Sequence, residues 1–297
     1  MERLPAHGGV RVWGSVSTVG HAPGRRERPD FLGGQKLAAV RCTRAFVWLL
    51  ALLVLAPPSS SAWTLDAHRS IALDALAVLP PPMREALTPH VSVILTGVVE
   101  PDVRRVVSHK IPIIALRGTP PPPKSGAANE FKRLATYAQE MLRLGRGLDE
   151  GAYTPEMLRL GGSDELLFAL GQATHFVQDL NQPLHAAWGE TRAEHNEIEA
   201  QMLYRSWQKD HTYRGFMLVK NYSCFAHEIA EHSSQHARAL FFDREIRRVT
   251  EIAWDQAVND TANLWQSIVW HALGAERSRQ LYGISAPVRE TGHGSLC

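Results

Sequence analysis

The feature that most constrains the fold of this chain is a helical stretch near its middle, whose apolar side chains cover most of its circumference. The apolar positions between residues 166 and 180 are Leu166, Leu167, Leu170, Ala173, Phe176, Val177 and Leu180. A helix that is apolar on most sides is buried in a protein core. We therefore predict a helix here, around which the rest of the chain packs.

The same stretch carries a polar stripe that burial would turn towards the interior. The stripe consists of Gln172, His175, Gln178 and Asp179. An unpaired charge inside a protein is strongly unfavourable, so buried carboxylates are paired or bind a metal ion. The stripe therefore predicts a polar site in the core.

Metal-ligand chemistry is concentrated between Leu170 and Glu199. The donors are His175, Asp179, His185, His195 and Glu199, and two pairs of them, His175 with Asp179 and His195 with Glu199, are four residues apart. Residues four apart lie on one face of a helix and can converge on one ion. Zinc accepts imidazole and carboxylate ligands, although one such pair alone is more often a solvated helix face.

These residues carry a resemblance to a known family. The pattern H-x3-D-x5-H, here in the string HFVQDLNQPLH of residues 175–185, followed by the pair His195 and Glu199, resembles the zinc-dependent phospholipase C family and its relatives, the S1/P1-type nucleases. The glutamate of the second pair is similar to the phospholipase C branch. The resemblance extends from Trp63 to about Glu199 and implies an all-helical fold with three zinc ions.

The resemblance also implies ligands upstream of the central stretch. In the family a tryptophan begins the mature chain and binds zinc through its amino group and carbonyl oxygen. The matching residue is Trp63, followed by His68 on the next helix, and then by Asp102 and His109. The interval of seven residues between Asp102 and His109 is shorter than in better-known members of the family.

The resemblance assigns roles within this set. Asp179 bridges two ions, one completed by Asp102, His109 and His175 and the other by Trp63 and His68. His185, His195 and Glu199 hold the third ion. Asp179 and Asp102 are the predicted catalytic residues, Asp102 as a proton acceptor, and Asp66 is a predicted substrate-binding acid at the fourth mature position.

A leader precedes this domain. Arg41 and Arg44 come before an apolar run from Ala45 to Ala56, and Ser60 and Ala62 offer small residues for cleavage, which is typical of a secretory signal peptide. We predict a signal peptide at residues 40–62. Residues 1–39 are predicted to be an unstructured extension, and one interpretation is that translation starts at Val40.

The predicted mature chain is not basic, because the residues from 63 onward hold 24 basic and 27 acidic groups, a net charge of about −3 with histidine neutral. No basic tract is interleaved with aromatic residues, as binding of single-stranded nucleic acid would favour. Cys224 and Cys297 could form a disulfide in an oxidising compartment.

Strand patterns are scarce, so we predict an all-α fold with one compact helical domain at residues 63–273 and a flexible tail at 274–297. The predicted function is a secreted or periplasmic zinc-dependent hydrolase acting on a phospholipid or another small phosphodiester. The predicted mature chain has no membrane-spanning segment.

Two alternatives remain open. A single-strand nuclease is favoured by the sequence Gln182 to His185 and by the five-residue step from Trp63 to His68. A catalytically inactive helical protein stabilised by zinc is favoured by the short interval before His109.

Overall fold

The structure is a computed structural model that describes residues 63–104, 109–118, 126–145, 164–202 and 211–293. The helices of these ranges are α1 Leu65–Val78, α2 Pro81–Leu87, α3 Val91–Arg104, α4 Ala127–Leu144, α5 Asp164–Asn181, α6 Arg192–Met202, α7 Tyr222–Ser234, α8 Ala237–Phe241, α9 Ile246–Leu273 and α10 Ala275–Tyr282, with 3-10 turns at Thr88–His90 and Pro183–Ala186. The predicted all-helical class is confirmed. The predicted extension at 1–39 and signal peptide at 40–62 lie outside the described residues.

Four short strands accompany the helices, β1 Ile114–Ala115, β2 Ala187–Trp188, β3 Met217–Val219 and β4 Arg289–Thr291. They form two parallel pairs, β1 with β2 and β3 with β4. None of the helices in the described ranges combines the length and the apolar character needed to cross a bilayer.

The central helix of the sequence analysis is α5, and it is buried as predicted. Its apolar residues and its stripe residues His175, Gln178 and Asp179 are all buried. Helices α3, α4, α7 and α9 pack against it. The polar stripe therefore lies inside the molecule, where it meets side chains from the neighbouring elements.

Helices α3 and α5 approach each other closely at two facing glycines. A Cβ added to Gly171 would lie 2.2 Å from the carbonyl oxygen of Ile94, and one added to Gly97 would lie 2.2 Å from the carbonyl oxygen of Phe168. Only glycine fits at such a backbone-to-backbone approach. This crossing brings the part of α3 just before Asp102 against the part of α5 just before His175.

Helix α1 is amphipathic and packs into the core through one face. Thr64 caps its N-terminus, because the Thr64 Oγ1 accepts a hydrogen bond from the Ala67 backbone N–H at 3.4 Å. One face, with Ala67, Ile71 and Ala75, joins an apolar cluster that includes residues of α8 and α9. His68 is fully buried.

The segment beyond α9, for which a flexible tail at 274–297 is predicted, contacts the rest of the chain as far as residue 293. Tyr282 and Ile284 are buried in the main core. Strand β4 pairs with β3, and Glu228 of α7 accepts hydrogen bonds from the backbone N–H groups of Gly292 and His293, both at 2.8 Å. Burial and pairing with distant elements thus order a segment that has no strong local pattern. Cys224 is disulfide-bonded, and Cys297 lies outside the described residues.

Asp260, a buried acid in the core, should make the stability of the protein depend on pH. Asp260 of α9 accepts hydrogen bonds from Asn181 Nδ2 at 3.1 Å and Gln256 Nε2 at 2.9 Å. Burial outweighs these bonds and raises the pKa of Asp260 from 3.8 to about 6. The folded state therefore binds this proton more tightly than the unfolded state, and stability is lost as pH rises from about 4 to about 6.

We expect Asp260→Asn to remove this loss, which corresponds to about 3 kcal/mol for two pKa units. The free energy of unfolding of the wild type should fall relative to that of the variant between pH 4 and pH 6, measured by urea unfolding in the presence of a chelator. Asp243→Asn changes an exposed carboxylate and is the control. A constant difference across this range would contradict the expectation.

Candidate metal centre

Asp179 lies at the centre of a cluster of buried donors, and its two oxygens face different histidines. Oδ1 is 3.3 Å from His68 Nε2. Oδ2 is 2.9 Å from His109 Nδ1 and 3.0 Å from His175 Nε2. The predicted pair His175 and Asp179 does share one face of α5, as its spacing of four residues requires.

Asp102 closes the cluster from the side of α3. Its Oδ2 is 3.6 Å from His68 Nε2, and its Oδ1 is 3.5 Å from His109 Nδ1 and 3.8 Å from His175 Nε2. Asp102 follows Val98 by one helical turn, and the carbonyl oxygen of Val98 accepts a hydrogen bond from His175 Nδ1 at 2.9 Å. The glycine crossing therefore sets the distance between the two carboxylates.

His109 is positioned by a backbone ladder rather than by a helix. The Ile111 N–H donates to the carbonyl oxygen of His185 at 3.0 Å, and the Ile113 N–H donates to that of Ala186 at 2.9 Å. Strands β1 and β2 continue this ladder. The segment that begins at His109 thus runs beside the segment that begins at His185, and the short interval after Asp102 still brings His109 into the cluster.

A second group of donors lies next to the first. His195 Nε2 is 2.7 Å and His185 Nε2 is 3.7 Å from Glu199 Oε1. His185 Nδ1 is also 3.8 Å from Asp179 Oδ2, which connects the two groups. The pair His195 and Glu199 occupies one face of α6, so the second spacing of four residues also brings two donors together.

Four of the imidazoles are oriented in the same manner. The Nδ1 atom of each lies next to an oxygen: Gln178 Oε1 for His68 at 2.6 Å, the Val98 carbonyl for His175 at 2.9 Å, the His109 carbonyl for His185 at 3.3 Å, and Glu190 Oε1 for His195 at 3.2 Å. An imidazole that donates through Nδ1 presents the lone pair of Nε2. In each case Nε2 points at the carboxylates.

The donor atoms fit zinc chemistry. Three groups have ligand atoms within 4.8 Å of one another, namely His68 with Asp102 and His175, His109 with His175 and Asp179, and His185 with His195 and Glu199. His68 Nε2, Asp102 Oδ2 and both oxygens of Asp179 are buried without a hydrogen-bond partner. Buried polar atoms normally have partners, and a cation held between these atoms would account for the exception.

The environment of the cluster shifts the pKa values of its two carboxylates, Asp179 and Asp102, in opposite directions. Burial alone would raise the pKa of Asp179, but the charges of His175 and His185 and the close ring nitrogens of His109 and His175 hold it well below its usual range. Burial and the charge of Asp179 raise the pKa of Asp102. One carboxylate is therefore stabilised as an anion, whereas the other is the better proton acceptor.

Trp63 and Asp66 occupy different environments near the start of α1. The indole N–H of Trp63 donates to the carbonyl oxygen of Gln178, the neighbour of Asp179, at 2.9 Å. The ring of Trp63 is buried and meets the ring of Trp254 edge-on, with centroids 5.7 Å apart. Asp66 lies near Arg69, its side chain is 67% exposed, and it does not converge with the donors.

Several residues behind the donors were not predicted as site residues. Gln182 Nε2 donates to Glu199 Oε1 at 2.9 Å. Glu190, whose side chain is 3% exposed, contacts both Lys110 and His195. Spacing could not identify these residues, because only folding brings Lys110 next to Glu190. Gln178 was visible as part of the polar stripe.

A cleft with a cavity volume of about 150 Å³ opens beside His109. Its apolar lining includes Leu134 and Phe176, and its charged lining forms two ion pairs. Arg104 pairs with Glu100 and Arg133 with Glu130, each at 2.6 Å. The charges of these pairs cancel, so the cleft is polar but carries no net charge from them.

No protein-family model matches the chain, and no curated protein matches it. Among solved structures, the chain is similar to alpha-toxin of Clostridium perfringens from the avian strain SWCP, with 12% sequence identity and a TM-score of 0.48. The similarity covers 74% of this chain and 64% of the toxin chain, so the chain spans less than two thirds of the toxin's length.

Proposed function

We propose that the protein is a secreted or periplasmic zinc-dependent hydrolase that cleaves a phospholipid, or another small phosphodiester, in the manner of a phospholipase C. The observation that carries this proposal is the common orientation of four buried imidazoles, each fixed through Nδ1 and directed through Nε2 at carboxylates. Hydrogen bonds of this kind hold metal-binding histidines in one tautomer. The motif resemblance to the zinc-dependent phospholipase C family supports the same function.

Three zinc ions fit the donors. We assign one ion to Asp102, His109 and His175 and a second to Trp63 and His68, with Asp179 shared between them. The third ion belongs to His185, His195 and Glu199. The two oxygens of Asp179 face different histidines, as a bridging role would require, and the indole of Trp63 contacts the carbonyl oxygen of Gln178, the neighbour of Asp179.

When bound, zinc ions lower the pKa of a coordinated water and stabilise the charge that develops on a phosphodiester. The chain itself supplies a dry, fixed frame for this chemistry. Asp179 keeps its negative charge because the surrounding imidazoles stabilise it. Asp102, which faces the imidazoles of His68 and His109 at 3.6 and 3.5 Å, is the acceptor that we assign for the proton of the attacking water.

The cleft beside His109 supports a small zwitterionic substituent in the substrate. Glu100 and Glu130 can face an ammonium group, while Arg104 and Arg133 can face an anionic oxygen. Because these charges cancel, the cleft offers no excess of positive charge for a polyanion. This supports a lipid head group over a nucleic acid.

A single-strand nuclease is the second candidate. The string Gln182 to His185 and the five-residue step between Trp63 and His68 resemble the nuclease branch of the family.

The test uses purified protein that begins at Trp63. We expect three zinc ions per chain by elemental analysis and hydrolysis of phosphatidylcholine and phosphatidylethanolamine vesicles that exceeds hydrolysis of single-stranded DNA by at least about tenfold in kcat/KM, a difference of about 1.4 kcal/mol. A protein with one additional alanine ahead of Trp63 is the matched control, and it should lose one zinc and most activity because an amide nitrogen cannot replace an amine ligand.

Each other result identifies a different function. Faster cleavage of single-stranded DNA would establish the nuclease. Three bound zinc ions without turnover of either substrate would indicate a zinc-stabilised, inactive protein. Absence of zinc binding would refute the proposed function altogether.

A further inference from the structure

The third donor group differs from the others in the hydrogen-bond partner of one of its histidines. His68, His175 and His185 direct Nδ1 at uncharged oxygens, namely an amide side chain and two backbone carbonyls. His195 directs Nδ1 at the carboxylate of Glu190 at 3.2 Å. Among the histidines oriented in this way within the described residues, only His195 has a carboxylate within hydrogen-bond distance of Nδ1, since the Asp179 oxygen near His185 Nδ1 is 3.8 Å away.

Glu190 is itself held by a cation. Lys110 forms an ion pair with the same oxygen, Oε1, and its ammonium nitrogen lies 3.5 Å from His195 Nδ1. The side chain of Glu190 is 3% exposed and that of Lys110 is 25% exposed, so water screens this pair only partly. The other carboxylate oxygen, Oε2, is buried without a hydrogen-bond partner.

We infer that Glu190 and Lys110 are positioning residues that set the zinc affinity of the third site in opposite directions, an inference that rests on the proposed function. Glu190 draws the Nδ1 proton towards itself and makes Nε2 of His195 a stronger donor. Lys110 opposes this, because its positive charge competes for the same carboxylate oxygen and repels a bound cation. With both residues present, the third site binds zinc less tightly than it would with Glu190 alone.

This arrangement acts on one ion. Lys110 and Glu190 both contact His195, a donor of the third group. The third zinc should therefore respond more strongly to changes at this pair than the other two ions.

The test is titration of apo protein with zinc in competition with a chromophoric chelator, for the wild type and two variants. Glu190→Gln removes the charge and keeps the shape, and we expect the third zinc to bind about 10–100-fold more weakly. Lys110→Met removes the cation, and we expect the third zinc to bind several-fold more tightly. The first two zinc affinities serve as an internal measure of correct folding.

Matched controls change exposed charges of the same kind. Glu197→Gln alters an acid on α6 that is 57% exposed, and Lys220→Met alters a lysine that is 41% exposed. Both should leave all three affinities within about twofold, the effect expected of a screened surface charge.

The outcomes separate this inference from the proposed function. If the wild type binds three zinc ions and either Glu190→Gln leaves the third affinity unchanged or Lys110→Met weakens it, the inference is overturned while the proposed function stands. If the wild type binds no zinc, both are overturned.

Discussion

Replacement of Asp179 with asparagine should reduce the zinc content from three ions to one and lower kcat/KM on the best substrate by at least about 10³-fold. Mutation of a residue that only hydrogen-bonds to a metal ligand lowers metal affinity or activity by about 10–100-fold. Asp179 is more central, because it contacts His68 through one oxygen and both His109 and His175 through the other. An amide offers one poor oxygen ligand and an NH2 group that cannot bind zinc. Elemental analysis and initial rates measure the two effects.

The zinc that remains should be the one held by His185, His195 and Glu199, because Asp179 is not among the ligands assigned to it. Asp164→Asn is the matched control, since it makes the same change at an exposed position on the same helix. It should keep three zinc ions and wild-type activity. Retention of three ions in the Asp179→Asn protein would disprove the bridging assignment.

Gly171→Ala should destabilise the protein by about 3 kcal/mol and also weaken zinc binding. Alanine favours a helix over glycine by about 1 kcal/mol, so the substitution would stabilise a helix whose surface was free. Here the new Cβ would meet the carbonyl oxygen of Ile94 at 2.2 Å, a contact with backbone that no side-chain rotation can relieve. Overpacking of a core costs about 1–3 kcal/mol or more.

The loss should extend to the donors because α3 must move away from α5. Asp102 would then withdraw from His68 and His175, and zinc titration should show weaker binding of the first two ions. Urea unfolding of the apo protein measures the stability term. Gly145→Ala is the control, since its Cβ would meet atoms no closer than 3.7 Å, and it should leave stability unchanged or raise it slightly.

The sequence predicted the parts of this structure that depend on local spacing. Helix α5 is predicted to be buried because its apolar residues recur on most of its sides. The spacing of four residues predicts that His175 lies next to Asp179 and His195 next to Glu199. The order of the donors then allowed the family resemblance to suggest Trp63, His68, Asp102 and His109. Of these, the structure brings the last three together around Asp179.

Features that depend on distant pairs were not predictable in the same way. Gly97 and Gly171 each look like ordinary helical glycines, and their role exists only because the two helices cross there. Glu190 contacts Lys110, which lies 80 positions earlier, so no local spacing reveals the contact. The ordered C-terminal segment rests on a three-residue strand paired with β3, which is too short to leave an alternating pattern.

The ladder that starts at His109 and His185 has a mechanical consequence. The carbonyl oxygen of His109 accepts from the ring of His185, and the carbonyl oxygen of His185 accepts from the Ile111 N–H. His109 and His185, which are proposed ligands of two different ions, are thus held by two backbone segments that are hydrogen-bonded to each other. The polypeptide therefore fixes the distance between these two ligands without a metal, and we expect zinc to bind at the proposed centre with little change in the backbone.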